Sequence, residues 1–167
     1  MNFVKHFFYI FLMFGTFFLT SCASQRYHRA SVEALPGFPT TAGSGVFSWP
    51  LNGRLIVPFG GKEGGVSSKG IVVEGSEGQS VCASRDGQVV YVDETLRGYG
   101  RTLILEHSGG FSTVYARNAE ILVASGQWVR QGQAIARVGR AGKDGVSRAY
   151  FELRRSARPE DPLRYLK

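Results

Sequence analysis

The sequence predicts an all-β fold of antiparallel β-sheets for residues 46–167. Short runs rich in β-branched and aromatic residues alternate there with glycine-rich turns, a pattern typical of strands joined by tight loops. No stretch beyond residue 22 repeats its apolar residues with the period of an amphipathic helix. The expected strands cover residues 54–59, 70–73, 87–92, 101–107, 111–117, 133–138 and 148–153.

Two short patterns predict hairpins. Ser108-Gly109-Gly110 is a loop of the length that joins paired strands. Gly78-Gln79 and Gly126-Gln127 each begin a brief strand, followed by a second turn glycine and a longer strand. This arrangement resembles lipoyl domains, which implies lipoyl-like hairpins. We do not expect a lipoyl carrier, because Lys143 lies in no modification motif and Asp144-Gly145 accounts for its turn.

The first residues predict export. Lys5 precedes an apolar run over residues 7–18, and small residues follow, as in a secretory signal peptide. A retained transmembrane anchor is the alternative, but a span needs about 20 apolar residues. Leu19-Thr20-Ser21-Cys22 resembles the lipobox of bacterial lipoproteins, which implies that residues 1–21 are removed and that Cys22 carries the lipid. Ala23 stands where an aspartate would imply inner-membrane retention, so we expect the periplasmic face of the outer membrane.

The segment after the signal peptide predicts a flexible tether. Residues 22–45 contain Ser, Thr, Gly and Pro without apolar periodicity. At about 5–6 Å × √n, such a chain spans about 25–30 Å and keeps the following domain near its membrane. Residues 46–167 are enough for one compact domain with its own core.

Charge and cysteine content narrow the class of partner. The chain carries a net charge of +7, which would suit nucleic acid, but export excludes that partner. A basic surface in the cell envelope more readily meets anionic lipid or cell-wall polymer. With Cys22 acylated, Cys82 has no partner for a disulfide, and its apolar strand predicts a buried, inert thiol.

A series of short motifs resembles a known peptidase family. Each motif is weak alone, but their order and intervals over residues 49–166 resemble the LytM (lysostaphin-type) zinc endopeptidase domain. The resemblance implies sheets that form a LytM-type groove. Together with the lipobox, the motifs around Gly98 and Leu163 are similar to the NlpD-type lipoproteins, which activate cell-wall amidases. The motifs are Trp49-Pro50, Pro58-Phe59-Gly60, Lys69-Gly70-Ile71, Gly87-Gln88-Val89-Val90, Gly98-Tyr99-Gly100, Thr113-Val114-Tyr115-Ala116, Gly126-Gln127-Trp128-Val129, Phe151-Glu152-Leu153 and Asp161-Pro162-Leu163.

The resemblance also shows which catalytic groups this sequence lacks. Ser68 and Val72 stand at the positions of a histidine ligand and an aspartate ligand of zinc, and Tyr150 stands at the third ligand position. Arg117 and Arg148 stand at the positions of the catalytic histidines. A valine cannot hold a metal, and two guanidinium groups would repel a cation placed between them.

The histidine count leads to the same expectation. His107 is the single histidine within residues 46–167, and a zinc site needs further ligands. We therefore expect His107 to be structural, and we expect no bound zinc and no peptide-bond cleavage. The lipid on Cys22 is the only non-protein group that the sequence implies.

The replaced site is expected to line a partner-binding groove. Guanidinium groups suit carboxylates, so Arg117 and Arg148 favour an anionic or amide-rich partner. Solvated surface charges are the alternative reading of both arginines, and Glu152 is expected to pair with one of them. The groove residues are Ser68, Val72, Tyr115, Arg117, Arg148, Tyr150 and Glu152.

The resemblance implies a non-catalytic function. The expected partner is a peptidoglycan (N-acetylmuramoyl-L-alanine) amidase, activated during cell-wall remodelling or daughter-cell separation. The alternative is a peptidoglycan-binding or scaffolding lipoprotein without an amidase partner, because a groove free of metal ligands can accept a new one.

Overall fold

The computed structural model describes residues 46–140, 142 and 144–167. The predicted signal peptide, Cys22 and the tether lie outside the described residues. Within them the chain is all-β, as predicted, and no described helix is long and apolar enough to cross a membrane. The elements are β1 (Leu55–Val57), β2 (Lys62–Glu63), β3 (Val66–Ser67), β4 (Ile71–Gly75), β5 (Ser80–Cys82), β6 (Gly87–Leu96), β7 (Gly100–His107), β8 (Phe111–Ile121), β9 (Trp128–Val129), β10 (Ala134–Val138), β11 (Ser147–Arg155), β12 (Arg158–Glu160) and a 3₁₀ turn at Pro162–Arg164.

One antiparallel sheet carries most of the structure. Its strands follow the order β1-β4-β11-β8-β7-β6-β9, with β10 joining β5 and β8, and β12 joining β11. The β2–β3 hairpin forms a separate two-stranded sheet. The strands β4, β11 and β8 are therefore neighbours at the centre, and the residues expected at the site lie on or beside them.

Side-chain alternation gives the central strands two buried faces. Phe151 of β11 lies opposite Ile71 of β4 and Tyr115 of β8, and all three belong to the main core. The next residue, Tyr150, points to the other face. Because strand residues alternate between faces, each central strand supplies both the main core and the site.

The repeated Gly-Gln pattern corresponds to a repeated turn. In each copy the glycine has a positive φ, which the third position of a type II turn requires. The following glutamine then accepts a hydrogen bond from the N–H three residues earlier, which fixes the turn from the side chain. The copies are Gly78-Gln79 with Ser76, Gly126-Gln127 with Ala124, and a third at Gly132-Gln133 with Arg130.

The elements that the sequence pattern missed are short. The strands β2, β3 and β12 have only two or three residues each, too few to show an alternating pattern. Cys82 also differs from expectation, because it is half-buried rather than buried.

Hydrogen bonds around the buried His107 join the turn before β6 to strands β7 and β8. His107 is 6% exposed, and its Nδ1 lies 2.8 Å from the carbonyl oxygen of Asp86. A carbonyl only accepts, so Nδ1 carries the proton and Nε2 faces the Thr113 hydroxyl at 2.7 Å. Thr113 is also hydrogen-bonded to the Tyr115 hydroxyl at 3.0 Å. The neutral imidazole is thus part of the structure, and burial lowers the pKa of His107 to about 4.

This network predicts a pH-dependent stability. The folded-state pKa of His107 lies below its ordinary value of 6.5, so the unfolded chain binds more protons between pH 6.5 and pH 4. The free energy of unfolding should fall by about 3 kcal/mol as the pH falls through that range. Denaturant unfolding of His107→Gln should show lower stability at pH 7 and a flatter profile between pH 7 and pH 4. An equally steep profile in this variant would contradict the assignment.

Candidate functional site

A small apolar cluster occupies the site face of the central strands. Tyr150 lies opposite Val72 on one side and Ala116 on the other, so the three side chains share a face. Val57 completes the buried cluster, and the Tyr99 ring meets the Tyr150 ring edge-on at 5.4 Å. Val72 and Tyr150, which stand at two of the zinc-ligand positions implied by the resemblance, are therefore packed among apolar side chains.

The Tyr150 hydroxyl is held by a buried carboxylate. It donates to Glu152 Oε2 at 2.7 Å, and Arg154 Nε donates to Glu152 Oε1 at 2.6 Å. Burial and the hydrogen bond to Glu152 raise the pKa of Tyr150. Glu152 is completely buried. The donors to both of its oxygens offset the cost of burying its charge.

Gly70 allows the chain to pass directly over this carboxylate. A Cβ atom at position 70 would lie 2.3 Å from the carbonyl oxygen of Phe151 and 2.9 Å from Glu152 Cβ. Any larger residue would have to push β4 away from β11. The Lys69-Gly70 motif therefore has a steric origin in this chain.

A β-bulge turns Arg117 toward the site. Leu103 lies opposite Tyr115, whereas Arg101, two residues earlier in β7, lies opposite Asn118, three residues further along β8. The extra residue interrupts the alternation, and Arg117 adopts a φ of 65°. Its guanidinium carbon lies 5.6 Å from the centre of the Tyr150 ring. Bulges re-aim side chains in this way beside functional sites.

Arg117 is joined to the β2–β3 hairpin by a bidentate ion pair. Its Nη1 and Nη2 donate to Glu63 Oε1 and Oε2 at 2.7 and 2.6 Å. The hydrogen bond from Arg117 holds the pKa of Glu63 below its ordinary value, and the charge of Arg148 acts in the same direction. The hairpin is thereby tied across the site to a residue 54 positions away.

Arg148 and Ser68 are engaged locally. Arg148 forms an ion pair with Asp144, whose carboxyl pKa this arginine lowers. The Ser68 hydroxyl donates to the Gly70 carbonyl oxygen at 2.9 Å, within its own loop at the base of the hairpin. With these partners, neither Arg148 nor Ser68 is arranged as a metal ligand.

The structure brings together part of the predicted groove. Tyr150 packs against Val72, and the Arg117 guanidinium lies over its ring. Glu152 is joined to Tyr150 through the tyrosine hydroxyl, and Arg148 lies two residues from Tyr150 on the same face of β11.

Three expectations about the groove need correction. Tyr115 does not line it, because this side chain is 1% exposed in the main core and its hydroxyl accepts from the Ser84 N–H at 2.9 Å. Glu152 pairs with Arg154 instead of Arg117 or Arg148, because Arg154 lies on its own strand and face. Val72 and Tyr150, also expected to line the groove, are buried and fill its centre.

The sequence pattern missed the two carboxylates that pair with the site arginines. Glu63 lies in the glycine-rich hairpin and Asp144 in the turn before β11. Asp144 lies four residues before Arg148, a spacing that was visible in the sequence, whereas nothing in the sequence connects Glu63 with Arg117.

The residues of this site do not fit zinc. Val72 offers no donor atom, the Tyr150 hydroxyl is committed to Glu152, and the two arginines bring positive charge. Across residues 46–140, 142 and 144–167, no three His, Cys, Asp or Glu side chains are grouped so that they could hold a metal ion.

The fold and the site define a lysostaphin-type peptidase scaffold whose ligand positions hold other residues. A sequence model of peptidase family M23 matches residues 66–162, and the chain belongs to this family. The chain covers 95% of the solved catalytic domain of the prophage-encoded M23 protein EnpA from Enterococcus faecalis, with 70% of this chain aligned, a TM-score of 0.61 and 21% identity. That match extends over nearly the whole of that isolated domain, so in that protein this fold stands alone.

Two relatives are more similar in sequence. "Murein hydrolase activator NlpD" of Salmonella typhimurium is 42% identical over 127 residues, which cover 76% of this chain and 33% of that protein. "Outer membrane antigenic lipoprotein B" of Haemophilus influenzae is 43% identical over 121 residues, covering 72% of this chain and 29% of that protein. The chain thus spans about a third of the length of these curated relatives.

The Glu63–Arg117 ion pair is expected to restrict the motion of the β2–β3 hairpin. Glu63→Gln removes the charge of the only carboxylate bonded to Arg117 among the described residues, so the amides of β2 and β3 should exchange with solvent several-fold faster. Global stability should fall by less than about 1 kcal/mol, because both partners are about one third exposed. Hydrogen-exchange mass spectrometry of Glu63→Gln beside Glu94→Gln, a matched change on β6, measures the effect. Equal exchange in the two variants would contradict it.

Proposed function

We propose that this protein is a non-catalytic envelope lipoprotein that activates a cell-wall hydrolase. The observation that carries the proposal is an M23 scaffold in which Val72, Tyr150 and their neighbours fill the ligand positions. This scaffold is 42% identical to a relative named as a murein hydrolase activator. A metallopeptidase needs three protein ligands and an open position for water, and this site offers neither.

The finer proposal names the hydrolase as an N-acetylmuramoyl-L-alanine amidase and the site face as its docking surface. Arg117 and Arg148 supply the charge, since their side chains remain 31% and 25% exposed although both are paired. Guanidinium groups that hold Glu63 and Asp144 can exchange them for carboxylates of a partner. Activation requires only that this surface bind the active form of the amidase better than the inactive form.

The site would recognise its partner by exchange of ion pairs around an apolar centre. The half-buried Tyr99, packed edge-on against the buried Tyr150 ring, forms that centre beside the Arg117–Glu63 and Arg148–Asp144 ion pairs. Aromatic residues and arginines contribute most of the binding free energy at many protein interfaces. An amidase segment with acidic side chains and one apolar residue is the complement that this surface favours.

A dye-release assay tests the function. The soluble domain, residues 41–167, is mixed with dye-labelled sacculi and the host's own cell-wall amidase, and each protein is also assayed alone. We expect release from the mixture well above that from the amidase alone. Arg117→Glu with Arg148→Glu should reduce the stimulation at least about tenfold, because charge reversal repels the partner's carboxylates and those of Glu63 and Asp144.

The matched control for this assay is Arg155→Glu with Arg158→Glu. This double variant makes the same change in net charge. Arg155 lies seven residues from Arg148 on β11, about 23 Å away at 3.3 Å per residue, so the control should leave stimulation intact. Circular dichroism verifies folding, and Arg117→Gln with Arg148→Gln serves if the reversed variant does not fold. Sacculus binding without stimulation would indicate a scaffolding lipoprotein instead. Release by the domain alone would contradict the non-catalytic assignment.

We also propose that Cys22 carries the lipid and that the protein lies on the periplasmic face of the outer membrane. Support comes from the lipobox-like Leu19-Thr20-Ser21-Cys22 and from relatives named as lipoproteins. The full chain should incorporate labelled palmitate in a bacterial host, Cys22→Ala should not, and Cys82→Ala should label normally. Palmitate on Cys22→Ala would contradict the site. Ala23→Asp should move the protein to the inner-membrane fraction of a density gradient.

A further inference from the structure

One end of the sheet carries arginines stacked on a shared aromatic ring. The Arg85 guanidinium carbon lies 5.3 Å from the centre of the Phe47 ring and 6.0 Å from that of Phe111. The Arg155 guanidinium carbon lies 5.3 Å from the Phe111 centre, and Arg158 lies opposite Arg155 across the β11–β12 pair. We call Arg85, Arg155 and Arg158 the basic face.

These arginines differ from those of the site in having no carboxylate. Among the described residues, ion pairs engage Arg54, Arg101, Arg117, Arg140, Arg148 and Arg154, and none engages the basic face. Two carboxylates at this end have other partners: Asp86 accepts from the Gln131 N–H, and Glu160 accepts from the Tyr165 hydroxyl. The guanidinium groups therefore keep their charge available to an external anion.

A shallow apolar hollow adjoins the basic face. Val90, Ile104, Phe111 and Ala157 line a depression of about 360 Å³, and the exposed Glu106 is also among its lining residues. Ser156, the residue after Arg155, also lines it. Positive charge beside exposed apolar side chains suits binding to a phospholipid surface, where phosphate and glycerol groups lie side by side.

The chain enters the domain at the same end. The Phe47 ring lies 5.4 Å from the Phe111 ring, and the segment that leads back to Cys22 joins at Val46. The segment that leads to the proposed lipid on Cys22 therefore joins the described domain at the end that carries the basic face.

We propose that the basic face binds an anionic phospholipid surface. Arg155 and Arg158 contact lipid phosphates, Arg85 adds a third charge braced by Phe47 and Phe111, and the hollow receives the glycerol region. Each such cation contributes roughly a fivefold gain in membrane affinity at low salt. The inference does not depend on the proposed activation of a hydrolase.

Vesicle sedimentation of the soluble domain, residues 41–167, tests the proposal. Vesicles contain phosphatidylcholine alone or with 40 mol% phosphatidylglycerol, at low and at high salt. We expect binding to the anionic vesicles only, weakened by salt. Arg155→Glu with Arg158→Glu should reduce that binding at least about tenfold. Arg97→Glu with Arg140→Glu, both exposed and away from the basic face, should leave it nearly unchanged.

Any of three results with vesicles would overturn the proposal: equal binding to uncharged vesicles, equal loss in both double variants, or no binding to the anionic vesicles. Tighter binding to lipid-free sacculi that Arg155→Glu with Arg158→Glu abolishes would assign the basic face to peptidoglycan and likewise overturn it. Arg155→Gln with Arg158→Gln, checked by circular dichroism, provides the same comparison if charge reversal prevents folding.

Discussion

The hydrogen-bonded register of β4, β11 and β8 is the constraint on which both faces of the domain depend. It places Phe151 between Ile71 and Tyr115 in the main core, and one residue away it places Tyr150 between Val72 and Ala116 at the site. A slip of one residue would exchange the two sets and bury Glu152 in the main core. Fold and site are therefore specified by the same hydrogen bonds.

Contacts within the site take the structural place of the metal–ligand bonds of a zinc site. In a zinc site, metal–ligand bonds hold side chains from several strands together and offset the desolvation of charged ligands. Here the cohesion comes from the contact of Val72, Ala116 and Tyr150, from the Tyr150–Glu152–Arg154 hydrogen bonds, and from the pair between Arg117 and Glu63. Val72 and Tyr150 are packed or hydrogen-bonded, and the charge still reaching solvent belongs to the Arg117–Glu63 and Arg148–Asp144 ion pairs. Such a surface is suited to binding rather than to activating water.

The two ends of the domain use arginine differently. At the site, arginines are paired with carboxylates of this chain, so an external anion must compete with an internal one, and selectivity follows from that competition. On the basic face, Arg85 and Arg155 lie on aromatic rings, and no carboxylate among the described residues forms an ion pair with either. That arrangement favours a diffuse anionic surface over a single partner group.

The sequence by itself determined the all-β class, the seven main strands to within a few residues at most ends, and the replacement of the zinc ligands, because alternation and motif order are local properties of the chain. It could not place Tyr115 and Arg117, which share a face in a regular strand. The bulge between β7 and β8 breaks that regularity and sends Tyr115 to the core and Arg117 to the site. Nor could it pair Glu63 with Arg117, or gather Arg85, Arg155 and Phe111 at one end. Only the tertiary structure decided these, because pairing register and charge contacts between distant segments depend on how the strands assemble rather than on any one segment.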